Sequence, residues 1–156
     1  MAIVLDANDY FDRLEVDLKE AVADAIEIGL EAIMEDVLDQ TQVGNSPVTR
    51  SPFTPYSDKY RKYKERMLGS ANPVNLRYDG SISDYAIEID AQSTSGELYF
   101  KGTTRGGLTT GEAMYLHQTG GGTMPVRKIF PESIQDIPEE VLETIRQRIL
   151  NRINNA

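Results

Sequence analysis

Eight apolar residues near the start of the chain recur at intervals of three and four: Phe11, Leu14, Leu18, Val22, Ile26, Leu30, Ile33 and Val37. That spacing puts them on one stripe of an α-helix but scatters them over both faces of a strand, so it predicts a helix over about 8–40. Asn8 or Asp9 stands where an N-cap is needed, and Gly44 and Asn45 follow as a stop signal. The stripe runs for about seven turns, and its other faces are polar and mostly acidic. Such a stripe must bury against something, either the chain's own sheet or a partner helix.

Residues 44–55 read GNSPVTRSPFTP. Three prolines among small polar residues predict an extended loop whose order depends on outside contacts. Helical spacing resumes over 56–68, with Ser57 as a cap and Tyr60, Tyr63, Lys64 and Met67 along one side. Beyond a turn at 69–73, alternation over 85–89 and 98–101 predicts two strands joined by a hairpin connection at 93–96. A flexible stretch at 102–111 precedes a strand or short helix at 112–118, three glycines, and a short strand at 127–130. Pro138 suits the first turn of a terminal helix carrying Val141, Leu142, Ile145, Ile149 and Ile153. The sum is an α+β fold in one domain over 1–156: a long N-terminal helix and a C-terminal helix (about 138–153) packed on a small antiparallel sheet, with long extended loops.

At 156 residues the chain is long enough to bury a core without disulfides or a metal. It has no cysteine, which removes thiolate ligands and suits a reducing compartment. No apolar run approaches the length of a membrane span and the N-terminus lacks signal-peptide regions, so the chain reads as soluble, not exported by that route, and without membrane partners. A net charge of −9 argues against a general nucleic-acid binder. The charge is also segregated: residues 1–40 hold twelve acidic and two basic side chains, residues 41–80 seven basic and three acidic. Complementary patches of this kind steer one copy onto another or onto a charged partner, and two solvated faces produce the same pattern.

Chemistry is sparse. His117 is the sole histidine, and Ser57, Ser81, Ser83, Asp79 and Asp84 supply the members of a triad without any nucleophile-elbow motif. His117 lacks a second histidine or a cysteine as a metal companion, the carboxylates lack calcium-loop spacing, and Gly120, Gly121 and Gly122 lack the GKS or GKT of a phosphate loop. No catalytic residue, cofactor or metal is expected. The basic segment from Tyr56 to Arg66, which interleaves lysines and arginines with tyrosines, supports an alternative reading as a nucleic-acid-binding accessory protein.

Three blocks remain: SPVTRSPFTPYSDKYRKYK at 46–64, VNLRYDGSISDYAIEI at 74–89 and YLHQTGGGTMPVRKIFPES at 115–133. Together they resemble the phage virion morphogenesis or tail-completion family, the Mu G-like group related to minor tail and neck proteins. The third block is the most specific, being similar to that family's Tyr-x-x-His-Gln-x-Gly-Gly followed by hydrophobic-Pro-x-Arg-x-Phe. It departs from the pattern in placing Lys128 and Ile129 between Arg127 and Phe130, where the family has a proline after the arginine.

The resemblance implies a non-catalytic structural subunit at the head-to-tail junction of a tailed-phage virion, made in the bacterial host cytoplasm. It also implies a homo-oligomeric ring, hexameric by expectation, that meets connector, tail-terminator, tube or sheath proteins while genome DNA passes through. A ring needs one face of a subunit to dock on a different face of the next. Glu27, Glu31 and Glu35 on the acidic helix and Lys59, Arg61, Lys62 and Arg66 on the basic one are candidates for such a pair, and an acidic surface lining a DNA conduit is the other placement. The loops at 44–55 and 102–111 are the natural elements to reach a neighbour. Segment 115–130 reads as strand, glycine turn and strand, with His117, Gln118, Gly120, Gly121 and Pro125 structural. Arg127 is either a fold-fixing residue or a carboxylate-pairing contact between subunits.

Overall fold

The computed structural model describes residues 7–74, 76, 87–92, 95–103, 107–122 and 124–155, and for 7–14, 16, 87 and 88 the backbone alone. Its elements run α1 (Ala7–Val43), α2 (Asp58–Leu68), β1 (Ile87–Ala91), β2 (Gly96–Phe100), α3 (Thr110–Thr119), a 3₁₀ turn (Ile134–Asp136) and α4 (Glu139–Asn154). The fold is α+β: the long first helix packs on a two-stranded antiparallel sheet, and the last helix packs on the first helix and not, as expected, on the sheet.

At 37 residues α1 is about 55 Å long. Asn8 and Asp9 lie inside it instead of capping it. Gly44, at φ 87°, ends it by folding back: its N–H reaches the Thr41 carbonyl and the Asn45 N–H the Gln40 carbonyl. The apolar stripe divides in two. Val37 is 1% exposed, whereas Leu18 is 63% exposed and Val22 is also open. The described elements that pack on it are shorter than the helix. The strands have five residues each, about 17 Å, and α4 has sixteen, about 24 Å.

β1 and β2 pair in register from Ile87 with Phe100 to Ala91 with Gly96. The Gln92 N–H closes the hairpin on the Ser95 carbonyl. Gly96 is required there, because a methyl group would collide with the Ile26 and Leu30 side chains of α1. α4 runs antiparallel to α1, with Ile145 over Gly29, Arg148 on Glu35 and Arg152 on Asp24. The core gathers Val37, Phe53, Leu76, Met114 and Ile129, flanked by Ile33, Leu38, Val74, Phe100 and Phe130.

Two expectations are corrected. The loop at 44–55 is folded into the body of the protein, not extended from it. Asn45 pairs with Pro52, Ser46 donates to the Lys128 carbonyl at 2.6 Å, and Phe53 sits in the core. Segment 115–130 is not strand, turn and strand but a helix, a glycine stop and an extended run. Thr109 and Glu112 form a reciprocal capping box that starts α3, and Gly120, at φ 74°, ends it. The predicted strand at 127–130 has no ladder partner among the described residues. The second sequence block falls largely outside the described residues, which omit 75 and 77–86.

Arg50 ties these layers together from a left-handed position, φ 57°. Its guanidinium makes two bonds to the Asp36 carboxylate, 2.8 and 2.9 Å, and a third to Glu140 at the start of α4. Both Arg50 and Asp36 are partly shielded, and burial raises the Asp36 pKa by more than the Arg50 bonds lower it, so loss of Arg50 would leave a half-buried carboxylate unpaired. Replacing Arg50 with alanine is expected to lower unfolding free energy by about 1–2 kcal/mol in urea titration. An unchanged midpoint would show that the bridge carries no stability.

Candidate functional site

The residues of the first and third sequence blocks meet in space around Arg127, which is 3% exposed. Its Nε and Nη2 donate to the Thr54 carbonyl at 3.2 and 2.9 Å, and Nη2 also reaches the Pro55 carbonyl at 3.4 Å. Nη1 lies 3.4 Å from His117 Nδ1, and the guanidinium carbon sits 5.2 Å from the Tyr56 ring centre. Arg127 is therefore spent inside the chain, and its role as a contact between subunits is corrected to that of a clamp on the 44–55 loop.

Tyr56 is the floor of this cluster. Its hydroxyl accepts from Lys64 Nζ and from the Leu76 N–H, both at 3.1 Å, and Lys64 Nζ lies 4.5 Å from the ring centre. Burial raises the Tyr56 pKa, which keeps the group a phenol. Lys64 is 2% exposed. The basic helix thus has one lysine turned into the protein, and Tyr56 and Lys64 are withdrawn from any surface that nucleic acid could touch.

His117 is neutral here. Burial, then the positive charges of Arg127 and Lys64, depress its pKa from 6.5 to about 4. Because Arg127 can only donate, Nδ1 is the acceptor and the ring proton is on Nε2. Its carbonyl also accepts the Arg127 N–H at 2.8 Å. Ser57 is the N-cap of α2, its oxygen accepting the Tyr60 N–H, while Ser81, Ser83, Asp79 and Asp84 lie outside the described residues. Among the described residues no group of three His, Asp or Glu side chains converges as a metal site would require.

Gln118 supplies what the missing strand would have. Its side-chain oxygen accepts the N–H groups of Ile129 (2.6 Å) and Phe130 (3.1 Å), and its amide nitrogen donates to the Phe130 carbonyl at 2.9 Å. One side-chain amide thus satisfies three backbone groups of a run that has no β partner among the described residues. Gly120 and Gly121 let the chain turn beneath this contact. A side chain at Gly120 would strike Val126 and the Met124 carbonyl, and one at Gly121 would strike Leu116. Pro125 follows in the half-buried run leading to Arg127. Nothing in composition pointed to Gln118 in this role; its signal was only its place beside His117 in the third block.

The surface candidates separate into engaged and open groups. Glu35 is held by Arg148, which keeps its carboxyl below the usual range, and Arg61 is flanked by Asp58 and Glu65 on its own helix. Both are therefore engaged within the chain while remaining about half exposed. Glu27, Glu31, Lys59, Lys62 and Arg66 are exposed and make no ion pair among the described residues.

No family profile, curated protein or solved structure matches this chain. Among the described residues no helix is long and apolar enough to cross a membrane.

The sign of the pH response follows from His117. Its folded pKa lies below the unfolded value, so between about 4 and 6.5 the unfolded chain binds a proton that the folded chain refuses. The contribution is complete above pH 6.5 and is lost as pH falls towards 4, by up to roughly 3 kcal/mol. Urea midpoints of the parent chain and His117→Gln are expected to differ in slope across that window. Parallel pH profiles would exclude His117 as the cause.

Proposed function

We propose that this chain is a structural assembly subunit of a tailed-phage virion, a tail-completion or neck protein that forms a homo-oligomeric ring, hexameric by expectation, at the head-to-tail junction. Its place would be the virion, reached from the host cytoplasm during assembly, with connector, tail-terminator, tube or sheath proteins as neighbours. One observation carries the reading: the residues on which the resemblance rests are spent on the chain's own backbone. Arg127 clamps Thr54 and Pro55, Gln118 clamps Ile129 and Phe130, and Ser46 clamps Lys128. A motif used in this way serves a fold, and a fold that displays opposite charges on different helices suits repeated head-to-tail contact.

The alternative, a nucleic-acid-binding accessory protein, keeps Lys59, Lys62 and Arg66 with the exposed Tyr63 on α2. It loses Tyr56 and Lys64, which are buried, and must overcome the net charge of −9.

Native mass measurement of the chain, alone and mixed with head-to-tail connector and tail-tube proteins, tests the proposal. The expected result is a closed oligomer that binds one of them. A strictly monomeric chain that associates with neither contradicts it.

A further inference from the structure

The open face of α2 is regular. With about 100° per residue, Lys59, Lys62 and Arg66 fall within an arc of about 60° on the side opposite the buried Lys64, and Tyr63 and Met67 lie along one edge of that arc. Arg61, on the other flank, is neutralised by Asp58 and Glu65. Lys59, Lys62 and Arg66 make no ion pair among the described residues. Tyr63 and Met67 are exposed beside them, at 38% and 51%. The helix is capped at both ends and tethered at one point. Ser57 caps its start, Gly69 at φ 77° ends it, and Lys64 is anchored on Tyr56.

A matching face exists on α1. Asp17, Glu20, Asp24, Glu27 and Glu31 lie within an arc of about 80°. Asp24 is engaged by Arg152 of α4, whereas Asp17, Glu20, Glu27 and Glu31 are exposed and make no ion pair among the described residues. The small residues Ala21 and Ala23 flank the row and leave room for bulkier neighbours. The basic residues fall at steps of three and four, and the carboxylates repeat the same steps. From Lys59 to Arg66 is about 10 Å of helix, as it is from Glu20 to Glu27. Within one chain α1 and α2 share no extended contact.

We propose that the open face of α2 docks on the carboxylate row of α1 in a second copy of this chain. The two faces differ, so the contact is heterologous and leaves each copy with one face free for the next, which closes a ring where the rotation permits. Opposite rows at equal spacing set the register, and Tyr63 and Met67 supply apolar area along one edge of the contact. The inference rests on the assembly reading above, and it names the surface through which assembly proceeds.

Charge exchange in the full chain tests it. One variant carries Lys59→Glu, Lys62→Glu and Arg66→Glu; the other carries Glu20→Lys, Glu27→Lys and Glu31→Lys. All six positions are exposed, and thermal unfolding checks that each variant folds; glutamine replaces the reversed residues in any variant that does not. By sedimentation velocity the parent chain is expected to associate at low salt and to weaken as salt rises towards about 0.5 M. Each variant alone is expected to associate at least about tenfold more weakly, and an equimolar mixture of the two to regain association, since each then meets an opposite face. Parent-like assembly of both variants would overturn the contact while leaving the assembly reading intact. A parent chain that is monomeric at every salt concentration would overturn the contact, and one that also binds neither connector nor tail-tube proteins would overturn both. Salt-sensitive binding of duplex DNA through α2, without self-association, would overturn the contact in favour of a nucleic-acid surface.

Discussion

The fold turns on a buried guanidinium that is paired with carbonyl oxygens instead of a carboxylate. Burying Arg127 at 3% exposure costs solvation, and the Thr54 and Pro55 carbonyls, the Tyr56 ring and His117 Nδ1 offset it. Those carbonyls belong to a segment with three prolines, which is short of N–H groups for any ladder of its own. The planar fork of arginine suits two neighbouring oxygens as a lysine would not. Once 44–55 is clamped, Phe53 can enter the core beside Val37 and Ile129, and Ser46 can reach the Lys128 carbonyl.

Gln118 completes the arrangement from α3. Among the described residues the run at 127–130 has no partner strand, and an unpaired buried N–H at Ile129 would be costly. The side-chain amide of Gln118 stands in for a strand. The inner half of the protein is thus held by side chains reaching backbone across loops. On the outer surfaces of α1 and α2, Glu20, Glu27, Glu31, Lys59, Lys62 and Arg66 stay exposed.

Some of this was legible in the sequence. The period of α1, its glycine stop, the Ser57 cap and the terminal helix follow from local rules, and the structure places them close to expectation. The helix at α3 was legible too, because Thr109 and Glu112 stand at capping-box spacing, but the glycines around them favoured a strand-and-turn reading. The burial of 44–55 was not legible. Arg127 reaches Thr54 across 73 positions and Ser46 reaches Lys128 across 82, and no local pattern encodes a contact at that distance. The same holds for the choice between the two roles of Arg127, since composition says nothing about which carbonyls a guanidinium will find.

The most direct test of this account keeps the charge of Arg127 and removes its fork. Arg127→Lys should lose at least about 2 kcal/mol of unfolding free energy in urea titration and expose the 44–55 segment to limited proteolysis. A variant within about 0.5 kcal/mol of the parent chain, with that segment still protected, would contradict the claim that the fork on Thr54 and Pro55 holds the fold together.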